Sequence, residues 1–293
     1  MELFHFRERS LIPMKSYLTK RLFIPIIIFI AISILFLPVY TWLIREWLHN
    51  PYYGHGFLIP IASGFIFWLR RDSFTLQAPS NRGLIILGTG ILLYLVGYVF
   101  RLHYLSALAL PIVIYGVIVY LYGINSAKRF IFPILILIFM IPLPFVDWLG
   151  FQLQLLTTYS TVALLHLSGI NVSAVGNQIT LPSASFTIGI ACSGINSLIS
   201  MITISTIIAF IIRDSLTKRI SIIVLSAPIA LFANILRVTS IILIAYWWDS
   251  DIALDFFHNL SGIIFFLLAI VILVIVTKLI GCNYRTFNEI MHD

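Results

Sequence analysis

The stretch Ala191-Cys192-Ser193-Gly194-Ile195-Asn196 sets a cysteine at the mouth of a long apolar segment, directly after a polar, strand-like stretch. As its thiolate, cysteine is intrinsically very nucleophilic. Two other residues have chemistry to offer it. Arg237 lies inside an apolar run, where burying a guanidinium costs at least about 2.5–3.5 kcal/mol. That position implies either a function or a side chain that snorkels to the interface. His258 opens the next apolar run. A neighbouring imidazole can take the thiol proton and later return one to a leaving amine. A guanidinium favours the thiolate by charge and can steady the oxyanion of a tetrahedral intermediate. Asn234 stands three residues before Arg237 and shares its helix face. It can orient the arginine or hydrogen-bond a neighbouring helix. Taken singly, an edge cysteine can be inert and a histidine at a helix start can be a solvated end residue.

The elements that carry these residues are membrane helices. Hydrophobic residues make up 60% of the 293 and charged residues 10%, against about 25% charged in an ordinary soluble domain. The mean hydropathy is +1.05. These values describe an all-α polytopic membrane protein of about eight transmembrane helices. The net charge of +7 reports orientation in such a chain, and it is not a nucleic-acid signal. Two cysteines, Cys192 and Cys282, are too few for a disulfide framework.

Apolar runs predict spans at about 22–44, 57–69, 83–100, 104–122, 130–148, 192–212, 220–247 and 258–280. Residues 150–168 carry Gln152, Gln154, Thr157, Thr158 and His166, a pattern that predicts an amphipathic helix lying at the surface. Residues 171–188 are β-branched and partly alternating, with a Gly-Asn turn signal at 176–177. They predict a small extracytoplasmic β-hairpin. The expected organisation is one membrane domain over 1–293. It comprises a basic cytoplasmic N-terminus (1–21), spans 1–5 (22–149), an extracytoplasmic helix and hairpin (150–191), spans 6–8 (192–281) and a cytoplasmic tail (282–293).

With the N-terminus inside, all of the 18 basic residues except Arg45, Arg101 and Arg237 fall on the cytoplasmic side. That bias orients the chain. An extra crossing at 150–168 would move Arg213, Lys218, Arg219, Lys278 and Arg285 outside. In this frame Cys192 sits at the outer end of the sixth span. Arg237 lies roughly 25 Å along the seventh at 1.5 Å per residue, and His258 opens the eighth at the outer face. Three consecutive spans thus bring a cysteine, an arginine and a histidine to one depth.

Four motifs extend the pattern. Ala-Cys-Ser-Gly-Ile at 191–195, Asn-Ile-Leu-Arg-Val at 234–238 and His-Asn-Leu-Ser-Gly at 258–262 resemble the three signature motifs of the exosortase/archaeosortase family. Tyr-Gly-His-Gly-Phe-Leu-Ile-Pro at 53–60 resembles that family's early Tyr-x-His-Gly motif. The resemblance covers about residues 50–270, with the motifs in the family's order. It implies a membrane-embedded cysteine transpeptidase in the cytoplasmic membrane of a prokaryote. Its substrates would be proteins ending in a short motif, a transmembrane helix and a basic tail. Cleavage would remove the helix and pass the new C-terminus to a lipid amine. Cys192 matches the family's proposed nucleophile, Arg237 its arginine and His258 its third catalytic position. Some archaeal members carry arginine at that third position, so His258 fits the exosortase-like variety. His55, Asn234, Ser193, Gly194 and Asn196 are expected to bind substrate or support the site. Cofactors, metals and nucleic acid are not implied.

Two other classes compete with this reading. In a lipid or small-molecule transporter or flippase, Arg237 would bind an anionic headgroup, but broken helices or repeats across the chain would be expected. No clear repeat is visible. A non-catalytic scaffold of an envelope export system would tolerate loss of all three residues. The sequence has no His-Glu-x-x-His and no Gly-x-Ser-x-Gly. Arg101 and His103 read as interfacial anchors, and Asp249, Asp251 and Asp255 as a solvated face.

Overall fold

A computed structural model describes residues 25–71, 80–181, 185–247, 258–286 and 289. The chain falls into two compact units, Met1–Ile44 with Thr75–Ala127, and Arg45–Phe74 with Lys128–Asp293. The helices are α1 (Pro25–Leu35) and α2 (Leu37–His49), which meet at a bend of 59°. They continue as α3 (Leu58–Leu69), α4 (Asn81–Val99), α5 (His103–Arg129), α6 (Ile131–Ile136) and α7 (Val146–Leu167). The last three are α8 (Ile195–Ile211), α9 (Leu216–Trp247) and α10 (His258–Leu279).

In the first unit, α4 and α5 pack backbone to backbone. Gly83, Gly90 and Gly97 recur every seven residues along α4. A Cβ at these positions would fall within 3 Å of Tyr120, Val113 and Ser106 respectively. Small residues in register let membrane helices approach closely, where lipid offers no hydrophobic force to drive them together.

The second unit holds every candidate site residue. Its centre is α9, flanked by α7, α8 and α10. Ile195, Met201, Ile222, Ala230, Ala269 and Leu273 share its core, and Ser205 Oγ donates to Ser226 Oγ at 3.1 Å between α8 and α9. Three short strands, β1 (Ser173–Val175), β2 (Gln178–Thr180) and β3 (Ser185–Thr187), form an antiparallel sheet in that order. Gly176, with φ +61°, makes the β1–β2 turn where the Gly-Asn signal stood. Ile179 and Phe186 point from the sheet onto Val238 and Ile242 of α9. The sheet therefore caps one end of α9 and leads the chain directly into the Cys192 turn.

Three expectations change. First, among the described residues four helices are long and apolar enough to cross a membrane, or five if the bent α1–α2 pair counts as one span, which does not confirm the expected eight. The predicted fifth span is broken. Past Pro133 the chain tightens into a 3-10 turn (Leu137–Met140) and leaves helical geometry before Pro142 and Pro144. A proline lacks the amide that an interior helix position needs. Two carbonyls in this stretch find side-chain donors: Ser63 Oγ donates to Pro133 O at 2.6 Å, and Trp47 Nε1 to Met140 O at 2.8 Å.

Second, residues 150–168 do not lie on the surface with a polar face outward. They belong to α7, whose Gln154, Thr157, Thr158 and Thr161 are buried, while Phe151, Leu156 and Tyr159 are exposed. The Gln154–Thr161 polar stripe faces the protein, where Thr157 meets α9, while Gln152 and His166 stay exposed beside the apolar side. Third, the hairpin is a three-stranded sheet, because 185–187 adds a strand too short to leave a periodic signal.

Candidate active site

Cys192 ends a 3-10 turn (Ile190–Cys192) ahead of α8. It is half-buried, packs against the sheet–α9 cluster and is not in a disulfide. Its turn is tightly held. Cys192 N donates to Gly189 O at 3.0 Å, and Ser193 Oγ donates to Ile190 O at 2.8 Å while accepting from Ile195 N at 3.2 Å. Gly194 then takes φ +84°, the left-handed region that L side chains rarely adopt. A Cβ there would also stand 2.8 Å from Asn234 Nδ2. Gly194 thus serves both the turn and the close approach of α9.

Asn234 is the bolt between these elements. Its Nδ2 donates to Cys192 O at 2.9 Å and to Thr157 Oγ1 at 3.3 Å. Thr157 in turn donates to Ser193 O at 3.4 Å. Asn234 and Thr157 are only 3% and 2% exposed, so these bonds form away from bulk water, where an unmade one would cost about 1–3 kcal/mol. Of the two roles open to Asn234, its hydrogen bonds are those of an inter-element tie: it holds the cysteine turn against α7 and α9.

One turn further along α9, Arg237 Nε donates to Ser261 Oγ at 3.2 Å. Ser261 is buried in the first turn of α10, and the guanidinium also lies over Gly262. The same arginine acts electrostatically on the Cys192 thiol. Burial pushes that thiol up, and the Arg237 charge pulls it back down. One face of α9 therefore reaches both the cysteine turn and the start of α10. His258 is the first residue of α10, three before Ser261; its side chain lies outside the described residues, as do Asp249, Asp251 and Asp255.

His55 lies in a 3-10 turn (Gly54–Phe57). This turn is fixed from both sides. Tyr53 Oη accepts from Leu143 N at 3.0 Å, and Gly56 lies against the Trp47 indole. The His55 ring stacks on Tyr53 at 6.0 Å and stands beside the Asn196 side chain and the Phe139 carbonyl. Both ring nitrogens are buried without an aligned hydrogen bond. Asn196 lies in the first turn of α8, four residues past Cys192, so the early motif does reach the cysteine segment.

These facing helices order the four motifs in one place, and a family match decides what they belong to. The transmembrane exosortase family matches residues 47–275. The chain belongs to the exosortase family. No curated protein and no solved structure matches it significantly. The family match begins at Trp47 and ends within α10, so it takes in every residue of the site.

Two site residues were not expected. Thr157 falls in the stretch whose pattern predicts a surface helix, and Ser261 falls inside a motif that gives it no role. For Ser261 the signal was present, because three residues after His258 places it on the same helix face. For Thr157 only its polarity in an apolar protein could have served. Among the described residues no group of three or more His, Cys, Asp or Glu could hold a metal ion.

Proposed function

We propose that the protein is a membrane-embedded cysteine transpeptidase that removes C-terminal sorting signals. Cys192 Sγ attacks the scissile carbonyl, giving a tetrahedral oxyanion that Arg237 stabilises. The C–N bond then breaks, and the leaving amine carries the transmembrane segment away with a proton returned by His258. The thioester left on Cys192 is resolved by an amine acceptor. The site faces outward from the cytoplasmic membrane, and both termini lie in the cytoplasm.

The observation that best supports this reading is the two-way reach of α9. Asn234 grips the Cys192 backbone and Arg237 grips the first turn of α10, while the Arg237 charge acts on the thiol. A guanidinium in a weakly solvated place needs such a purpose, since its burial is costly. Preorganised charge beside a nucleophile is worth more in a low-dielectric site than in water.

The test is replacement of Cys192 by alanine in cells that carry a protein ending in a motif, an apolar helix and a basic tail. Uncleaved substrate should accumulate while the variant stays inserted and monodisperse. Normal processing by Cys192→Ala would overturn the proposal.

A further inference from the structure

A cleft of about 560 Å³ opens beside the cysteine turn. Its walls are Arg45, Glu46, His49 and Asn50 from the end of α2 and the following loop, Tyr52, Asp147 from the first turn of α7, and Ile190. Ile190 is the first residue of the 3-10 turn that ends at Cys192. At about 2 Å of rise per residue, the cleft wall is only a few ångströms along the backbone from the nucleophile.

The lining is charged, and its charges are not spent on one another. Among the described residues no ion pair joins Arg45 to Glu46 or to Asp147. Glu46 Oε2 accepts from Asn50 Nδ2 at 3.1 Å, and Asn50 Oδ1 accepts from Tyr52 N at 3.0 Å. That chain fixes the Glu46 wall and leaves Oε1 available. Burial pushes the Tyr52 hydroxyl up, and the charge of Asp147, which also lines the cleft, adds to that. With two carboxylates and one guanidinium, the cleft favours a cation, and carboxylates accept N–H bonds most strongly from a charged donor. Arg45 adds a place for an anion close by, since its planar fork suits phosphate or carboxylate.

We infer that this cleft is the acceptor site, which takes a primary ammonium carried next to an anionic group, with the ammonium on Glu46 and Asp147 and the anion on Arg45. The inference rests on the transpeptidase reading and gives its second half a place. The bound ammonium gives one proton to a wall carboxylate. The freed amine attacks the thioester carbonyl on Cys192, a C–N bond forms, the C–S bond breaks, and the amine's second proton ends on the departing sulfur. An acceptor held here would approach from the Ile190 side of the turn.

Binding can be read without catalysis. The full-length Cys192→Ala protein in phosphatidylcholine nanodiscs is titrated with phosphatidylethanolamine, and retained lipid is counted by native mass spectrometry. Phosphatidylcholine is the internal comparison because its trimethylated nitrogen has no N–H to donate. Soluble phosphoethanolamine is the competing probe. The expected result is about a tenfold preference for the primary amine, the size of one good charged contact. Asp147→Asn, which breaks no hydrogen bond of the α2 loop, should bring the preference close to unity, as should Glu46→Gln. Competition by soluble phosphoethanolamine at equal concentration would support the cleft with a water-soluble acceptor as its source. No competition with retained lipid preference would support it with a lipid headgroup. Equal retention of both lipids with no competition, or an unchanged preference in Asp147→Asn, would overturn the inference. Failure of the transpeptidase reading would appear separately, as normal processing by Cys192→Ala.

Discussion

At the residue scale, the cysteine is set between two opposed influences. Burial disfavours its thiolate and the Arg237 charge favours it. Removing that charge leaves burial alone, so the thiol should titrate at a higher pH. In a Cys282→Ser background, where Cys192 is the remaining cysteine, alkylation by iodoacetamide should follow thiolate formation. Its rate–pH profile is expected to move to higher pH in Arg237→Gln and to stay near its original position in Arg237→Lys. An unchanged profile in Arg237→Gln would show that the guanidinium does not act on the thiol. The adjoining glycine makes a separate prediction. Gly194→Ala forces an L side chain to φ +84° and pushes its Cβ against Asn234 Nδ2. Left-handed backbone costs roughly 1–2 kcal/mol per residue, and the clash adds to it. Thermal unfolding in detergent should show the loss. Gly194→Ala combined with Asn234→Ala should lose less than the sum of the two single variants, because the second change removes the atom struck by the first.

At the element scale, the parts that were readable in advance are those written in helical period. Asn234 and Arg237 lie on one face because they are three apart, and the Cys192 turn was visible as a small, polar break between a strand-like stretch and an apolar run. The sheet's turn was legible at Gly176, which now sits at φ +61°. What was misread has a common cause. Hydropathy says how polar a helix is, but not which way its polar stripe looks. In water the polar stripe of an amphipathic helix faces solvent. In α7 the polar residues from Gln154 to Thr161 face the protein, and Thr157 uses that orientation to hold both Asn234 and the Ser193 carbonyl. The same limit applies to the third strand, since three residues cannot establish an alternation. The break after α6 was foreshadowed by Pro133, Pro142 and Pro144. Its consequence was not, because the donors to its carbonyls, Ser63 and Trp47, lie about 70 to 93 residues away in sequence.

At the scale of the whole molecule, the question is which side of the membrane each end of the site-bearing bundle meets. The two cysteines mark the two ends. The Cys192 turn lies at the end of the bundle where α10 begins, because Asn234 holds Cys192 O and Arg237, one turn along α9, bonds Ser261. Cys282 follows the last turn of the same helix and donates its amide to Thr277 O at 3.2 Å. The 22 residues of α10 extend ~33 Å at 1.5 Å per residue, about the thickness of a bilayer's hydrocarbon core. A helix of that length and apolarity is able to cross the membrane and so to set the two ends on opposite sides. The excess of Lys and Arg near Lys218, Lys278 and Arg285 is the ground for the proposed orientation, with the Cys282 end in the cytoplasm under the positive-inside rule. Ile190 is 49% exposed at the other end, and Asn283 is exposed beside Cys282. In a protein lacking both native cysteines, Ile190→Cys should react with a membrane-impermeant maleimide in intact cells. Asn283→Cys should react only after the membrane is permeabilised. The reverse pattern would put the Cys192 turn in the cytoplasm, where a sorting signal already exported through the membrane could not reach it. Labelling of both from outside would mean that α10 does not cross at all. Either result would remove the geometric basis for an outward-facing transpeptidase, even if the contacts among Cys192, Asn234 and Arg237 stood unchanged.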